Sequence, residues 1–565
     1  MEEYALEQLG ASADAVFAGL GPVAAGLAVL AEKACGEVTL DGAETLVADG
    51  GRELLRQLLQ LALDRQAAGE VRRAQVTGAD GVARRRAAPS GHHVVTTLGR
   101  VRAARLAYRS GVAGAGALHP RDALLDLPAR SYSWRLQQMA VMCAQSGAYE
   151  LAGEMVRAMT GVSIGKRQLE QITIEAAADA EQFFRHHQAG GQDQAGGQDR
   201  AGGQDQAGGQ DQAGGQDQAG GQDRAGGQDR AGGQDRAGDG TCPDVLVMSA
   251  DGKGVAMLPG SRRARSVAPG DRVRVFGKHR GTGEKGHKRM AEVGCVFDVR
   301  VPPPGAGDGP DSPARTPEQV MASHTDTGTG KGRVPAAVNR RYVIDIDAGR
   351  DVTIGTLFDE ADRRDPARQR TRLALLDGDN YQLAQFQAQA AARGITLVIL
   401  IDFIHVLGYL WKAAWCFHPG RDPAIEPWAT GLALDILHGR AGEVITAISQ
   451  LAAARPPQRK EHARIIRKTL HYLEAKKPWL DGYPAALAAG WPIATGVIEG
   501  ACRHLVQDRM GITGARWSTT GAQAILWLRA ITASGDRDAY WTWHLQQEHH
   551  RNHTSRYQDD LTLAA

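Results

Sequence analysis

The sequence predicts an α/β domain built on a mixed sheet, followed by a long helical stretch and preceded by a mostly α-helical N-terminal region. Three observations carry that expectation. Residues 189–236 are eight tandem copies of AGGQD followed by Gln or Arg, a tract that divides the chain into two parts of different character. Beyond it, short apolar runs at 245–250, 290–301, 371–376 and 395–401 alternate with segments of helical period. After residue 402 almost every segment has helical spacing. At 565 residues the chain is long enough for three or more domains with substantial cores.

In order along the chain, residues 23–34 and 44–68 have helical apolar spacing, the second interrupted by Gly50-Gly51, a pair that can break a helix. Residues 92–108 alternate as a short β hairpin. A helical set then spans 133–184. Within it, 149–159 is one helix, Thr160-Gly161-Val162 is a tight turn, and Ser163 is placed to cap a helix that starts at Ile164. Helix, glycine-containing turn and helix is the shape of a helix-turn-helix, in which the second helix offers its first side chains to the DNA major groove. Those side chains are Lys166, Arg167, Gln168 and Gln171. A plain helical hairpin has the same pattern, and both readings stay open. The AGGQD tract is polar and glycine-rich, cannot bury enough surface to offset chain entropy, and reads as a flexible linker.

In the second part, 245–250 reads as a strand ending at Asp251, 254–258 as the returning strand and 290–301 as a third. A Pro/Gly-rich loop spans 302–332. A helix at 353–363, a strand at 371–376 ending at Asp377, a helix at 381–393 and a buried strand at 395–401 ending at Asp402 complete the pattern. Three strands, helix, strand, helix, strand is the order of the ribonuclease H-like fold.

In that order the first and fourth strands are neighbours, so Asp251 and Asp377 face each other at one sheet edge, where ligands of α/β sheets bind. Asp379 in the same DGDN loop is the alternative to Asp377, which directly follows the apolar run. Both Asp251 and Asp377 precede glycine, and an Asp-Gly turn is the ordinary alternative for each. A third carboxylate, Glu499, borders a stripe of Ile498, Cys502, Leu505 and Val506 that would dock a helix on the sheet. Three such acids suit hard, oxygen-seeking magnesium in a pair of ions that clamps an in-line phosphoryl displacement. Asp402 and His405 form a D-x-x-H pair. Two ligands are not a zinc site, and helix capping by Asp402 is the plainer alternative.

Formal net charge is only +2, but residues 261–290 carry ten Lys or Arg against two acids, and 100–109 carry four arginines. Lys253, Arg503 and Arg509 join that run as candidate phosphate contacts, which would make DNA affinity salt-dependent. Six scattered cysteines without a CxxC pair argue against a disulfide framework or a cysteine zinc site. The longest apolar run, 395–411, is interrupted by Asp402 and His405 and is too short for a membrane span. The acidic, amphipathic start MEEYALEQLG is unlike a signal peptide, and a cytoplasmic protein without a membrane partner is expected.

The segments DGKGVAM, HKRMAEVGCVFDV, LLDGDNY, LIDFIHVLGYLWKAAW and GVIEGACRHLVQDRMGITGARWS resemble the ISKra4-type insertion-sequence transposases. Their wider group is the DDE transposases with a helical insertion, similar to IS256 and Mutator-like enzymes. The resemblance covers most of the chain outside the repeat. It implies a ribonuclease H-like catalytic domain with an all-α insertion, preceded by a mostly α-helical DNA-binding region. The implied divisions are 1–130 (helices with a short hairpin), 131–188 (helix-turn-helix-like), 189–240 (linker), 241–415 (first part of the catalytic core), 416–485 (insertion), 486–540 (catalytic helices with Glu499) and 541–565 (tail). Within the insertion, 432–453 and 462–475 read as helices.

The resemblance also implies that Asp251, Asp377 and Glu499 are catalytic and hold Mg2+, with Mn2+ able to substitute, and that Asp402 and His405 match the family's C/D-x-x-H motif. The implied partners are the element's terminal inverted repeats and target DNA, bound by at least a dimer near a bacterial nucleoid. Relatives commonly carry a Cys-x-x-Cys knuckle where this chain has Tyr108 to Ala113 without thiols, so no zinc is expected there. Two other functions fit the same residues: a ribonuclease H-like nuclease of junction-resolvase type, and a decayed DNA-binding protein without catalysis.

Overall fold

The computed structural model describes residues 25–26, 28–33, 35–36, 39–186, 245–261, 288–299, 315–322, 335–418, 422–457 and 459–558. The AGGQD tract, most of the basic run, most of the Pro/Gly-rich stretch and the edges of the first expected helix lie outside them.

Helix α1 (Leu40–Ala68) is capped by Thr39, whose hydroxyl accepts from the Gly42 N–H at 3.2 Å. It runs unbroken through Gly50-Gly51. Packing explains the exception: a Cβ on Gly50 would stand 2.5 Å from the Leu30 side chain, and one on Gly26 2.5 Å from Leu54, so these glycines allow the two helical segments to cross closely. Two short paired strands follow, β1 (Val76–Thr77) and β2 (Ala83–Arg84), then the expected hairpin, β3 (Arg86–Thr96) and β4 (Gly99–Arg109). Helices α2 (Pro120–Leu124), α3 (Trp134–Ser146), α4 (Tyr149–Thr160), α5 (Lys166–Ala176) and α6 (Ala180–His186) complete this half. Gly161, at φ +71°, stops α4. The cap of α5 is Gly165 rather than Ser163, and its N–H donates to Gln168 Oε1 at 3.2 Å.

The second half begins with β5 (Val245–Ala256), β6 (Lys288–Val299), α7 (Pro317–Ala322), β7 (Ala337–Asp345), α8 (Arg350–Arg364), β8 (Thr371–Leu376), α9 (Asn380–Ala392), β9 (Leu397–Ile401) and α10 (Phe403–Phe417). The sheet order is β7-β6-β5-β8-β9. β5 is antiparallel to β6, β6 antiparallel to β7, and β8 and β9 run parallel to β5. The residues expected as two strands around Asp251 form one strand. Pairing with β6 continues through Asp251↔Val293 and Gly252↔Glu292 to Ala256↔Lys288, so Asp-Gly is not a turn here. Gly252 instead makes room for a neighbour: a Cβ there would lie 3.0 Å from Met290 and 3.1 Å from Glu292. The third strand is β7, from a segment that alternation does not single out.

Helices α11 (Ile425–Leu437), α12 (Ala441–Ala454), α13 (Lys460–Leu480) and α14 (Tyr483–Ala488) fill the segment where the insertion is expected. The single helix expected over 432–453 is two, separated at Gly439, whose φ is +75°. Helix α15 (Gly496–Ala501) passes into a π-helical turn, Cys502–Gln507, and then a last helical turn, Asp508–Met510. Helices α16 (Thr519–Ala533) and α17 (Arg537–Asn552) end the fold.

The expected boundaries near 188 and 540 are not boundaries of packing. Leu136, Leu169 and Phe183 share one hydrophobic cluster with Val247, Phe297, Ile525 and Tyr540. Arg341 of β7, 1% exposed, bonds Asp536 at 2.7 Å and lies over the rings of Phe183 and Phe184. Residues 541–558 are not a loose tail. Ala79 N donates to Arg556 O at 2.9 Å and Gln558 N to Thr77 O at 3.3 Å, which fastens the C-terminal segment to β1.

Asp179 anchors the same junction, accepting from Arg551 (2.6 and 2.7 Å) and contacting His544 Nδ1 at 2.7 Å. Burial pushes its carboxyl up, but Arg551 and His544 outweigh that and hold it at about 2. A depressed carboxyl contributes stability that is present above its unfolded value and lost as pH falls through the folded one. Asp179→Asn is therefore expected to cost about 2 kcal/mol in urea unfolding at pH 6, a difference that narrows below about pH 4.

Candidate active site

The register of the sheet sets the acids side by side. Met248 stands opposite Ala374 in the parallel pair β5–β8, so three residues further along each strand Asp251 and Asp377 are level. Leu376 stands opposite Ile401 in β8–β9, so Asp402 is level with Asp377 in turn. Three aspartates thus follow one line across three neighbouring strands, where β8 and β9 end and β5 continues. The Ser249 hydroxyl donates to Leu375 O at 2.7 Å and Asp402 N to Leu376 O at 2.7 Å, which holds these strands together at that level.

Glu499 arrives from α15, which packs on β5 and β6. The stripe beside it is buried as expected: Ile498, Cys502, Leu505 and Val506 are each at most 4% exposed. Glu499 itself is exposed at the margin. The π-turn begins at Cys502, whose thiol is pushed up by burial first and then by the Asp251 charge. Single π-turns inside helices recur at functional sites.

Electrostatics ties these residues into one site. Burial is the main cause that raises the Asp377 carboxyl, with the Asp251 and Asp379 charges adding to it and the Asp379 N–H and His405 opposing. Partial burial also raises Glu499, then the charges of Asp402 and Asp251, with His405 opposing. Carboxyls that repel each other in a partly desolvated edge favour either a shared proton or a cation. The donor set is all oxygen, which fits magnesium or manganese. The ligand atoms of Asp251, Asp377 and Glu499 are not among the described groups that close to within 4.8 Å of one another.

Asp379 is otherwise engaged. It caps α9 through the Gln382 N–H (2.9 Å) and accepts from Arg350 Nη1 (2.9 Å), while its own N–H donates to Asp377 Oδ1 (2.8 Å). Asp402 is fully buried, and its two carboxylate oxygens accept from the Ile404 N–H (3.0 Å) and the Thr495 hydroxyl (2.6 Å). It therefore caps α10 and ties the strand end to the approach of α15, whereas His405 is exposed beside Tyr409 and Tyr472.

Several residues at the site carry no sequence signal for it. Tyr472 of α13 donates to the Asp377 carbonyl at 2.9 Å and covers Gly378, whose φ is +91°. Lys476, 3% exposed on the same helix, donates to Asn380 and lies near Asp379 and Asp377. Helix α13 thus grips the loop that carries Asp377. Glu292, 7% exposed and bonded to Arg350 Nε at 3.1 Å, stands opposite Gly252 on β6, one residue along from Asp251. A glutamate inside the apolar run MAEVGCVFDV was the available clue.

Of the expected DNA contacts, Lys166, Arg167, Gln168 and Gln171 are all exposed on the first turns of α5, with Lys166 paired to Glu150. Lys253 is half-buried on β5, two residues from Asp251, and Arg503 is exposed after Glu499. Arg509 does not fit. It is 2% exposed, donates from Nε to Ala144 O at 2.7 Å, and is sandwiched near Trp517 (4.6 Å) and Tyr149 (5.1 Å). Burial lowers its guanidinium to about 10, and its role is to join α3 and α4 to the C-terminal helices.

A cavity of about 790 Å³ lies elsewhere, lined by Ile174, Phe184, Asp345, Thr519 and Trp527 among others, and includes none of the acids above. Among the described residues no helix is long and apolar enough to cross a membrane. No family model matches the chain, and no curated protein matches it significantly.

Proposed function

We propose that this chain is a DDE-type DNA transposase that cleaves the ends of its own insertion sequence and joins the 3′-hydroxyl ends to target DNA. The observation that carries the reading is the level placement of Asp251 and Asp377 on the neighbouring strands β5 and β8, with Glu499 on a helix that packs on β5 and β6. The strand order β7-β6-β5-β8-β9, with its parallel β8 and β9, supports a ribonuclease H-like core, and the helices between α10 and α15 support an insertion of the IS256 and Mutator-like kind.

Asp251, Asp377 and Glu499 would hold Mg2+ or Mn2+, which supplies activation of the attacking oxygen and charge neutralisation at the leaving one. The protein's part is placement. The β5–β8 register fixes the two aspartates, and the Asp402–Thr495 bond fixes the approach of α15. Tyr472 holds the Asp377 loop, and Lys253 and Arg503 are placed to take DNA phosphates beside the acids. Assembly on paired ends, as at least a dimer, belongs to the same proposal, as does a cytoplasmic, nucleoid-associated location.

The test is strand transfer with pre-cut end duplexes and a target plasmid in magnesium or manganese. Joined product is expected; cleavage without joining would favour a junction-resolvase-type nuclease, and neither would overturn the enzyme. For end recognition, Arg167→Ala and Gln171→Ala are each expected to weaken binding to the terminal-repeat duplex by roughly tenfold, in line with about 1–3 kcal/mol per good base contact. Gel-shift titration at fixed salt reads this, and unchanged affinity in both would remove α5 from the interface.

A further inference from the structure

We infer that Asp126, His549 and His553 form a zinc-class metal site that staples the end of α17 to the segment after α2. The three residues offer ligand atoms that all lie within 4.8 Å of one another. His549 Nδ1 is 2.9 Å from Asp126 Oδ1, and His553 Nε2 is 3.9 Å from the same oxygen. Ligands at about 2.0–2.1 Å from a tetrahedral zinc stand about 3.3 Å from each other, between those two values. The histidines are four residues apart at the end of one helix, the spacing that turns two imidazoles to one side.

Three further features point to a cation here. Among the described residues Asp126 has no lysine or arginine partner, only the two imidazoles. It is held at φ +44°, a left-handed conformation that a residue without glycine's freedom adopts at a cost. Nearby Asp122 pairs its Oδ2 with Arg105 but leaves Oδ1 buried without a hydrogen-bond partner. The contrast with Asp179, His544 and Glu548 is instructive. That cluster also closes to within 4.8 Å, but Arg551 already holds both Asp179 oxygens and a Glu548 oxygen at 2.6–2.7 Å, so a metal there would have to displace a guanidinium.

Two imidazoles and one carboxylate select zinc or cobalt over magnesium, so the site is chemically separate from the all-oxygen acidic edge. Binding uses the ring lone pairs of neutral histidines: the hydrogen bond between His553 Nε2 and the Leu127 carbonyl (2.9 Å) is given up, and the Nε2 proton moves to Nδ1 so that Nε2 can ligate. The expectation of no zinc, drawn from absent knuckle thiols, does not extend to this histidine cluster.

The experiment uses the full chain, stripped with a chelator and titrated with Co2+. The visible absorption of tetrahedral Co2+ is expected at one equivalent, lost on addition of Zn2+, retained in Asp251→Asn and weakened at least ~100-fold in affinity in His549→Gln and in His553→Gln, since even groups that only orient ligands are worth 10–100-fold. A spectrum of octahedral Co2+, or one unchanged in both histidine variants, would overturn the site. Should the variants not fold, X-ray absorption at the zinc edge of the unaltered protein decides alone: two imidazole scatterers at about 2.0 Å support the site, and an all-oxygen shell overturns it.

Discussion

Asp251→Ala is expected to abolish cleavage and joining at the element ends, by at least ~10³-fold, while leaving end binding within about twofold. Asp377→Ala and Glu499→Ala should behave alike, and combining any two should add little, because ligands of one metal centre act as a unit. Removing a repelled carboxylate should not unfold the chain. Asp377 and Glu499 are both raised by burial and by their acidic neighbours, so the metal-free protein loses a repulsion with each substitution. A thermal midpoint that holds or rises, with activity gone, separates a catalytic loss from a folding loss. Activity retained in any one of the three would remove that residue from the centre. The result to fear is a midpoint that falls steeply, for then the acids would be packing elements and the site would lie elsewhere.

Arg341→Ala is expected to cost about 3–5 kcal/mol, the range for breaking a buried ion pair by removing one member. Asp536 would lose its 2.7 Å bond in a site only 7% exposed, and Phe183 and Phe184 would lose the cation between them. Denaturant unfolding measures the loss. Because this residue joins β7 to α6 and to the start of α17, the loss should appear as looser packing of the helical first half before the sheet itself melts. Replacing both partners with apolar residues of similar size is expected to recover most of the stability, which a role in DNA contact would not allow.

These residues also mark where sequence reading succeeds and fails. β8, α9 and β9 were legible because each apolar run ends in a polar cap or turn residue: Asp377, Asp379 and Asp402 sit at the ends of strands or the starts of helices. β7 was not legible, since Asn339, Arg340 and Arg341 interrupt its alternation, and only the distant Asp536 explains how an arginine can be buried there. Asp251 was expected at the end of a strand, before a returning one. Asp-Gly suggested a turn, whereas cross-strand pairing extends β5 past it. Arg509 looked like a phosphate ligand because nothing nearby in sequence reveals the Trp517 and Tyr149 rings or the Ala144 carbonyl. Tyr472 and Lys476 were missed for the same reason, since their relation to the DGDN loop is made by the fold and by no local pattern.

The attachment of residues 556–558 to β1 has a consequence for the order in which the protein becomes complete. During synthesis an N-terminal domain ordinarily folds first and on its own. Here strand β1 and the loop after it wait for a segment that emerges only after the whole sheet and both late helices have been made. A ribosome-bound or prematurely ended chain would therefore carry an unfinished first half. Docking of that late segment on β1 would then set the moment at which the first half is complete.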